Sequence, residues 1–208
     1  FEAVKTVGME LCPKLGISIP VGKDSMSMQT SWNENDLKTV TSPLSLIVSA
    51  FSETYDVNKT LTPQLNLKKT SSLILIDLGN KKNRMGGSCF NSVNNINGGV
   101  TPDLDDPILI KNFFDGIQNL NKKNKILAYH DRSDGGIITT ILEMAFAGHC
   151  GVDLNLKVED ELFNFLFNEE LGAVIQILDD DVIEILKYFN DELCLTAQVI
   201  GTPNNNQS

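Results

Sequence analysis

Positively charged residues are scarce in this chain. Its 208 residues contain 17 Lys and Arg against 27 Asp and Glu, which gives a formal net charge of −10 at pH 7. A protein that binds nucleic acid needs clustered Lys and Arg to meet the phosphate backbone, and this sequence has no such cluster. The charge balance therefore argues against a nucleic-acid partner, although Lys23 or Arg132 can still meet a single phosphate.

Cysteines and long apolar runs are also few. Cys12, Cys89, Cys150 and Cys194 are widely spaced and form no Cys-x-x-Cys pair, and we expect no signal peptide ahead of them. This usage is typical of reduced thiols, so we expect a cytoplasmic protein. No stretch is long enough to cross a membrane, while 41% hydrophobic residues suffice for one good core or two small ones.

Both ends of the chain lack the features of a finished protein. Phe1 opens the sequence without Met and leads directly into helical periodicity with no capping residue ahead of it. The residues 204–208 are polar and without periodicity, so they are predicted to form a disordered tail. We therefore expect the sequence to be a piece of a longer polypeptide.

The most informative segment is His130-Asp131-Arg132-Ser133-Asp134-Gly135-Gly136, between an apolar run and an amphipathic stretch. A helix start offers unpaired N–H groups to an anion, and Gly135 and Gly136 let the main chain approach it closely. Because Asp131 is itself negative, a phosphate can bind here only if a cation such as Mg²⁺ lies between the phosphate and the carboxylate. The junction therefore predicts a metal-nucleotide site. The alternative is an ordinary turn in which Ser133 or Asp134 caps the next helix.

A second polar cluster, Gly22-Lys23-Asp24-Ser25-Met26-Ser27-Met28, makes the simple turn a weaker explanation. A lysine can neutralise charge on a transferring phosphoryl group, and a hydroxyl can bind its oxygens. Lys23, Asp24 and Ser25 are therefore candidate catalytic residues. The alternative for them is a polar surface loop.

These segments resemble phosphoribosylformylglycinamidine synthase in its large form, specifically the second of its two related synthetase halves. The resemblance runs along nearly the whole chain and rests on several short sequence motifs that occur in a fixed order. Besides the two clusters above, these are Thr41-Ser42-Pro43-Leu44-Ser45-Leu46, Leu61-Thr62-Pro63-Gln64-Leu65, Glu143-Met144-Ala145-Phe146-Ala147-Gly148-His149-Cys150-Gly151 and Phe167-Asn168-Glu169-Glu170-Leu171-Gly172-Ala173-Val174.

The resemblance implies roles for the residues of the junction. Asp131 would be a magnesium ligand and Ser133 a contact to ATP or ADP, beside Gly135 and Gly136. Arg132 would face phosphate or bridge to a surface acid, and His130 is more typical of a hydrogen-bonded structural residue than of a proton-transfer group. The segment 168–170 would face the synthetase cleft or form a solvated helix end.

The family makes formylglycinamidine ribonucleotide from formylglycinamide ribonucleotide, glutamine and ATP, through phosphorylation of an amide oxygen and attack by ammonia. Its partners would be the phosphoribosyl substrate and the remainder of the same polypeptide, including a glutaminase domain, because no cysteine here sits in a recognisable nucleophile setting. Two alternatives stay open: a noncatalytic half that binds Mg-ADP for support, and a relative that acts on another phosphorylated substrate.

The predicted fold is α/β (α+β), with a truncated synthetase N-domain at 1–60 and a nearly complete C-terminal domain with a mixed sheet at 61–203. In the first part the pattern predicts a helix over 1–15 that ends at Gly16, and strands over 36–40 and 44–51. In the second part it predicts strands over 73–79, 126–129, 152–156, 173–178 and 196–201, and helices starting at 107, 137, 161 and 180.

Overall fold

The computed structural model describes residues 1–23, 25, 28–54, 56–157 and 161–206. The chain divides into two compact units, Phe1–Tyr55 and Asp56–Ser208. The division lies five residues before the boundary predicted at residue 60. Among the described residues, no helix combines the length and the apolar character needed to cross a membrane.

The first unit begins with a helical segment and continues into a β-hairpin. The helical segment consists of α1 (Glu2–Lys5), a π-helical stretch (Thr6–Leu11) and α2 (Cys12–Leu15). It ends at Gly16, as predicted, because the residue takes the left-handed conformation at a φ of 73°. The hairpin pairs β1 (Gln29–Glu34) with β2 (Asp36–Thr41) around Asn35.

The strand predicted over 44–51 is wrong. These residues have no regular secondary structure, and Leu44, Ile47 and Phe51 are exposed. A strand needs a neighbour to accept and donate its backbone hydrogen bonds. In the described part of this unit only β1 and β2 pair with each other, so the apolar run has no sheet to join.

The second unit alternates strands and helices. It begins with a 3₁₀ turn (Val57–Lys59), and near its end a further 3₁₀ turn (Asp179–Asp181) and a π-helical stretch (Tyr188–Glu192) lie on either side of the last helix. The elements are β3 (Ser71–Asp77), α3 (Cys89–Val93), α4 (Pro107–Lys122), β4 (Ala128–Asp131), α5 (Gly136–Gly148), β5 (Gly151–Leu154), α6 (Leu162–Phe167), β6 (Gly172–Leu178), α7 (Val182–Lys187) and β7 (Thr196–Asn204). Helix α3 was not predicted, and β7 runs into the predicted tail because Asn204 pairs with Gly151.

The five strands form one sheet in the order β4-β6-β3-β7-β5. All four neighbouring pairs are antiparallel, so the predicted mixed sheet is corrected. Strands β3, β4 and β5 follow one another along the chain through helical crossovers, and all three run in the same direction. Strands β6 and β7 lie between them and run the opposite way, which leaves no parallel neighbours. The α/β (α+β) class itself is confirmed.

Helices cover both faces of this sheet. Because side chains alternate along a strand, Ile74 and Ile76 of β3 pack against α4 and α7, whereas Leu73 and Leu75 pack against α5 and α6. All four of these side chains are almost completely buried. The buried sheet fixes the ends of β3, β4 and β6, from which the polar residues described below project.

Candidate functional site

The predicted junction lies between the end of β4 and the start of α5. The side chain of Asp131 is exposed, and one of its oxygens accepts a hydrogen bond of 2.5 Å from the hydroxyl of Tyr129. Burial, and then the hydrogen bond to this carboxylate, raises the pKa of Tyr129 well above its usual range. The phenol therefore stays a neutral donor. Among the described residues nothing donates to the second oxygen of Asp131, which is available to a cation.

The turn that follows requires its two glycines. Gly135 and Gly136 have φ angles of 83° and 73°, a region that other residues rarely adopt. A Cβ atom on Gly136 would lie 2.6 Å from the carbonyl oxygen of Leu166. The main chain therefore packs tightly between β4 and α6, and Ser133 is exposed on its outer side.

A carboxylate already occupies the start of α5. The Gly135 N–H donates to Glu169 Oε1 at 2.8 Å, and the same oxygen accepts the Cys89 N–H at 2.8 Å. The Gly136 N–H donates to the carbonyl of Ser133 at 3.0 Å. Glu169 thus joins the first residues of two helices. The sequence left open whether this acid faces a cleft or a solvated helix end, and nothing in its local pattern indicates that it caps α5.

Asp134 does not cap α5, because the N-cap residue is Gly135 and the side chain that accepts its N–H is that of Glu169. Asp134 instead lies with Cys89 and Glu169 in a group whose ligand atoms are within 4.8 Å of one another. A hydrogen bond to Glu169, together with the charges of both acids, raises the pKa of the Cys89 thiol. The thiol is therefore held in its protonated form at neutral pH.

Arg132 points into the protein rather than toward the exposed junction. Only 4% of the residue is exposed, and its Nη2 donates to Asp77 Oδ1 at 2.5 Å. Its Nε and Nη2 also donate to the carbonyls of Glu170 and Leu171 at 2.6 and 2.9 Å. The acid that it bridges is buried, not at the surface as the sequence suggested. Its contacts bind the end of β4 to β3 and to the loop before β6.

Two buried polar residues after α6 have separate structural roles. Glu170 is 1% exposed and accepts from Arg84 Nε at 2.6 Å and Nη2 at 2.7 Å. Asn168 is fully buried, and its amide donates to the carbonyls of Asn164 and Phe165. These two residues hold the loop that presents Glu169 to the junction, so neither belongs to a solvated helix end.

His130 contacts a carboxylate on the next helix. Its Nε2 lies 2.6 Å from Glu143 Oε2, and the side chain is 23% exposed. The pair links β4 to α5, which agrees with the structural role that a histidine at a strand end suggests.

The second polar cluster belongs to the first unit. The Lys23 Nζ donates to the hydroxyl of Ser25, and both side chains are exposed. Asp24 lies outside the described residues. The structure therefore brings the side chains of Lys23 and Ser25 together. Within the described residues, neither side chain forms another hydrogen bond or ion pair.

The second unit, with its antiparallel sheet covered by helices and a glycine-containing junction after β4, defines the class of the protein. Residues 71–208 match the family described as AIR synthase related protein, C-terminal domain, so the chain belongs to that family. Residues 1–53 match the domain described as FGAR-AT PurM_N-like.

Solved structures from Thermotoga maritima share the fold. PurL complexed with ATP superimposes with a TM-score of 0.56 at 11% identity, covering 82% of this chain and 25% of that one. Phosphoribosylformylglycinamidine synthase II gives 0.55 at 11% identity, covering 81% and 25%. PurL complexed with FGAR gives 0.52 at 12% identity, covering 72% and 26%. This chain thus spans about a quarter of the length of these relatives.

Proposed function

We propose that the chain forms part of the ATP-dependent, glutamine-using C–N ligase that converts formylglycinamide ribonucleotide into formylglycinamidine ribonucleotide in purine biosynthesis. The observation that carries the proposal is the junction of β4 and α5, where an exposed carboxylate and hydroxyl flank two glycines held in left-handed conformations. The family match and the likeness to PurL folds crystallised with ATP and with FGAR support it.

In this proposal the junction holds a magnesium-bound nucleotide. Asp131 fits a magnesium ligand, because Mg²⁺ commonly takes one or two carboxylates and completes its shell with water and phosphate oxygens. When bound, the ion would balance the negative charge of the phosphates. Ser133 would donate its hydroxyl to the nucleotide, while Gly135 and Gly136 let the chain turn there. Since their N–H groups already have protein acceptors, the two glycines shape the site rather than donate to phosphate.

The catalytic residues of the proposed reaction would be Lys23, Asp24 and Ser25. An ammonium group beside a hydroxyl suits a transferring phosphoryl group, whose charge and oxygens both need partners. The Lys23–Ser25 hydrogen bond supports this pairing, because it keeps the two donors side by side.

Ammonia would come from a glutaminase domain in the remainder of the same polypeptide, in the cytoplasm. A glutaminase nucleophile needs a thiol with a lowered pKa. Glu169 raises the pKa of Cys89, and burial raises that of Cys150. Both shifts are opposite to what such a nucleophile requires, so neither of these two thiols suits a glutaminase.

The alternative is that the junction holds Mg-ADP for support only. The charges at the junction favour this alternative. The carboxylates of Glu169 and Asp134 lie beside the start of α5 and would repel the phosphates of a nucleotide unless a cation stays bound. A site that depends on a permanently bound cation suits support better than turnover.

Complementation of a purine auxotroph by the full-length gene separates the two roles. We expect Lys23→Ala and Asp131→Ala each to abolish growth without purines, at protein levels equal to those of the unchanged gene. Asp36→Ala, an exposed acid of the β-hairpin outside both clusters, is the matched control and should grow normally. Full growth with both Lys23→Ala and Asp131→Ala would contradict the catalytic proposal.

A further inference from the structure

Tyr129 and Asp131 lie two positions apart on β4, the strand at one edge of the sheet. Side chains at this spacing project to the same side of a strand, so the phenol lies beside the carboxylate. His130, between them, projects to the opposite side, where it contacts Glu143 of α5. One side of β4 therefore binds α5, while the other pairs the phenol of Tyr129 with Asp131.

The fold holds Tyr129 in place from several directions. Its ring packs against the hydrophobic cluster that contains Ile117 of α4 and Ile185 of α7. On the outer edge of β4 its backbone N–H donates to the carbonyl of Thr62 at 2.9 Å. On the inner edge the residue lies opposite Ile175 of β6. Because both the ring and the backbone are held, the hydroxyl is a donor in a fixed position.

The backbone of Asp131 is held as well. The residue pairs with Ala173 of β6, and its carbonyl accepts from Thr140 Oγ1 at 3.1 Å. Only the side-chain torsions of Asp131 remain free to vary. The Tyr129 hydroxyl, which donates to Oδ1 at 2.5 Å, restricts these torsions to one arrangement. The exposed carboxylate therefore keeps one orientation before any ligand binds.

This hydrogen bond also sets the number of oxygens that Asp131 offers to a cation. Oδ1 accepts from Tyr129, and within the described ranges nothing donates to Oδ2. Mg²⁺ requires a nearly ideal octahedron, which the narrow bite of a carboxylate that chelates through both oxygens does not fit. Ca²⁺ is larger, takes roughly six to eight oxygens and readily binds both oxygens of one carboxylate. A carboxylate with one oxygen occupied therefore suits Mg²⁺ better than Ca²⁺.

We propose that Tyr129 is a positioning residue that makes Asp131 a one-oxygen metal ligand and thereby favours Mg²⁺ over Ca²⁺ at the junction. This role rests on the proposed function, in which Asp131 binds the cation that accompanies a nucleotide. Tyr129 acts through Asp131 alone and contacts neither the cation nor the nucleotide. Since the charge of the carboxylate is the same for both cations, the preference depends on the number of oxygens that the site offers.

The test is calorimetric titration of the whole 208-residue chain with ADP, in excess Mg²⁺ and separately in excess Ca²⁺. We expect the unchanged chain to bind ADP more tightly with Mg²⁺. Tyr129→Phe should weaken binding with Mg²⁺ about tenfold, because the group that orients a metal ligand is lost. Binding with Ca²⁺ should change little, since the released oxygen can join the first one on the larger ion. The preference for Mg²⁺ should therefore fall by about the same factor of ten.

Tyr188→Phe is the matched control. The Tyr188 hydroxyl accepts from Asn119 Nδ2 at 3.0 Å, and its ring packs against the same hydrophobic cluster as that of Tyr129. The change therefore removes a bonded phenolic hydroxyl whose partner is not Asp131. Both affinities should stay as they are in the unchanged chain, and both Phe variants should keep its circular dichroism spectrum.

Asp131→Ala, alone and combined with Tyr129→Phe, separates this role from the nucleotide site. In the absence of the carboxylate, Tyr129→Phe should have no further effect, because the phenol has no ligand to position. An equal effect of Tyr129→Phe with and without Asp131 would overturn the positioning role. So would an unchanged preference in Tyr129→Phe, or equal affinities with the two cations in the unchanged chain, while a weaker Asp131→Ala would still support the nucleotide site. If Asp131→Ala binds like the unchanged chain, or the chain binds no ADP, both proposals fail.

Discussion

Glu170 and Arg84 form a two-point ion pair inside the second unit, with Nε–Oε1 and Nη2–Oε2 distances of 2.6 and 2.7 Å. The carboxylate side chain is 1% exposed and the guanidinium side chain 10%. The pair connects the loop after β3 to the loop before β6, and the second of these loops carries Glu169. The ion pair therefore holds the part of the chain that caps α5.

Removing one charge of this pair should destabilise the protein strongly. Glu170→Gln keeps the shape of the side chain but leaves the Arg84 charge without its main partner, which typically costs about 3 kcal/mol for a buried pair. Urea denaturation followed by circular dichroism measures the loss. Lys82→Met breaks a more exposed pair with Asp105 and should change the free energy of unfolding far less. Equal losses in the two variants would contradict the structural role of Glu170.

The Cys89 thiol should react slowly with alkylating reagents at pH 8. Its pKa is raised because Glu169 accepts its hydrogen bond and because two carboxylate charges oppose formation of the thiolate. Glu169→Gln keeps an acceptor for the two helix starts and removes one charge, so the rate of iodoacetamide labelling should increase. Peptide mass spectrometry resolves the site.

Cys194 serves as the internal control for this measurement, since it is exposed and absent from the Glu169 group. Its labelling rate should be the same in both proteins. A Cys89 rate that stays constant in Glu169→Gln, or that falls, would show that the carboxylate does not control the thiol.

Gly136→Ala should destabilise the junction. The residue has a φ of 73°, and the added methyl group would lie 2.6 Å from the Leu166 carbonyl. Left-handed strain and the close contact together should cost about 2 kcal/mol or more in thermal or urea unfolding. Gly8→Ala is the control, because that glycine is helical with nothing within 4 Å of its Cβ position, and the change should be neutral or stabilising. Similar stabilities for the two variants would contradict the packing described for Gly136.

Local patterns predicted most of the second unit. Its strands and helices appear where apolar periodicity placed them, because each has a neighbour that buries its apolar face. The strand predicted at 44–51 failed for the opposite reason, since no described strand of its unit pairs with it. The prediction of a mixed sheet was also wrong. Whether neighbouring strands run parallel or antiparallel depends on which strands insert between others, and local patterns do not show this.

The predicted site shows the same limit. The sequence indicated a glycine-containing turn at the junction, and in the structure Gly135 and Gly136 take left-handed conformations there. The sequence did not indicate that Glu169 bonds to Gly135, or that Arg132 turns inward to Asp77, because these contacts join residues 34 and 55 positions apart. Such pairings follow from the fold and carry no local signal. The roles of Lys23, Ser25, Asp131 and Ser133 stay predictions.

The most direct measurement is calorimetric titration of the chain with ADP in the presence of Mg²⁺, repeated with Asp131→Asn and with Asp180→Asn. Asp180 is an exposed acid far along the chain from the junction, in the turn before α7. We expect the unchanged chain and Asp180→Asn to bind equally, and Asp131→Asn to bind at least about tenfold more weakly because it loses a metal ligand. Equal affinities for all three proteins would remove Asp131 from the nucleotide site and contradict the account.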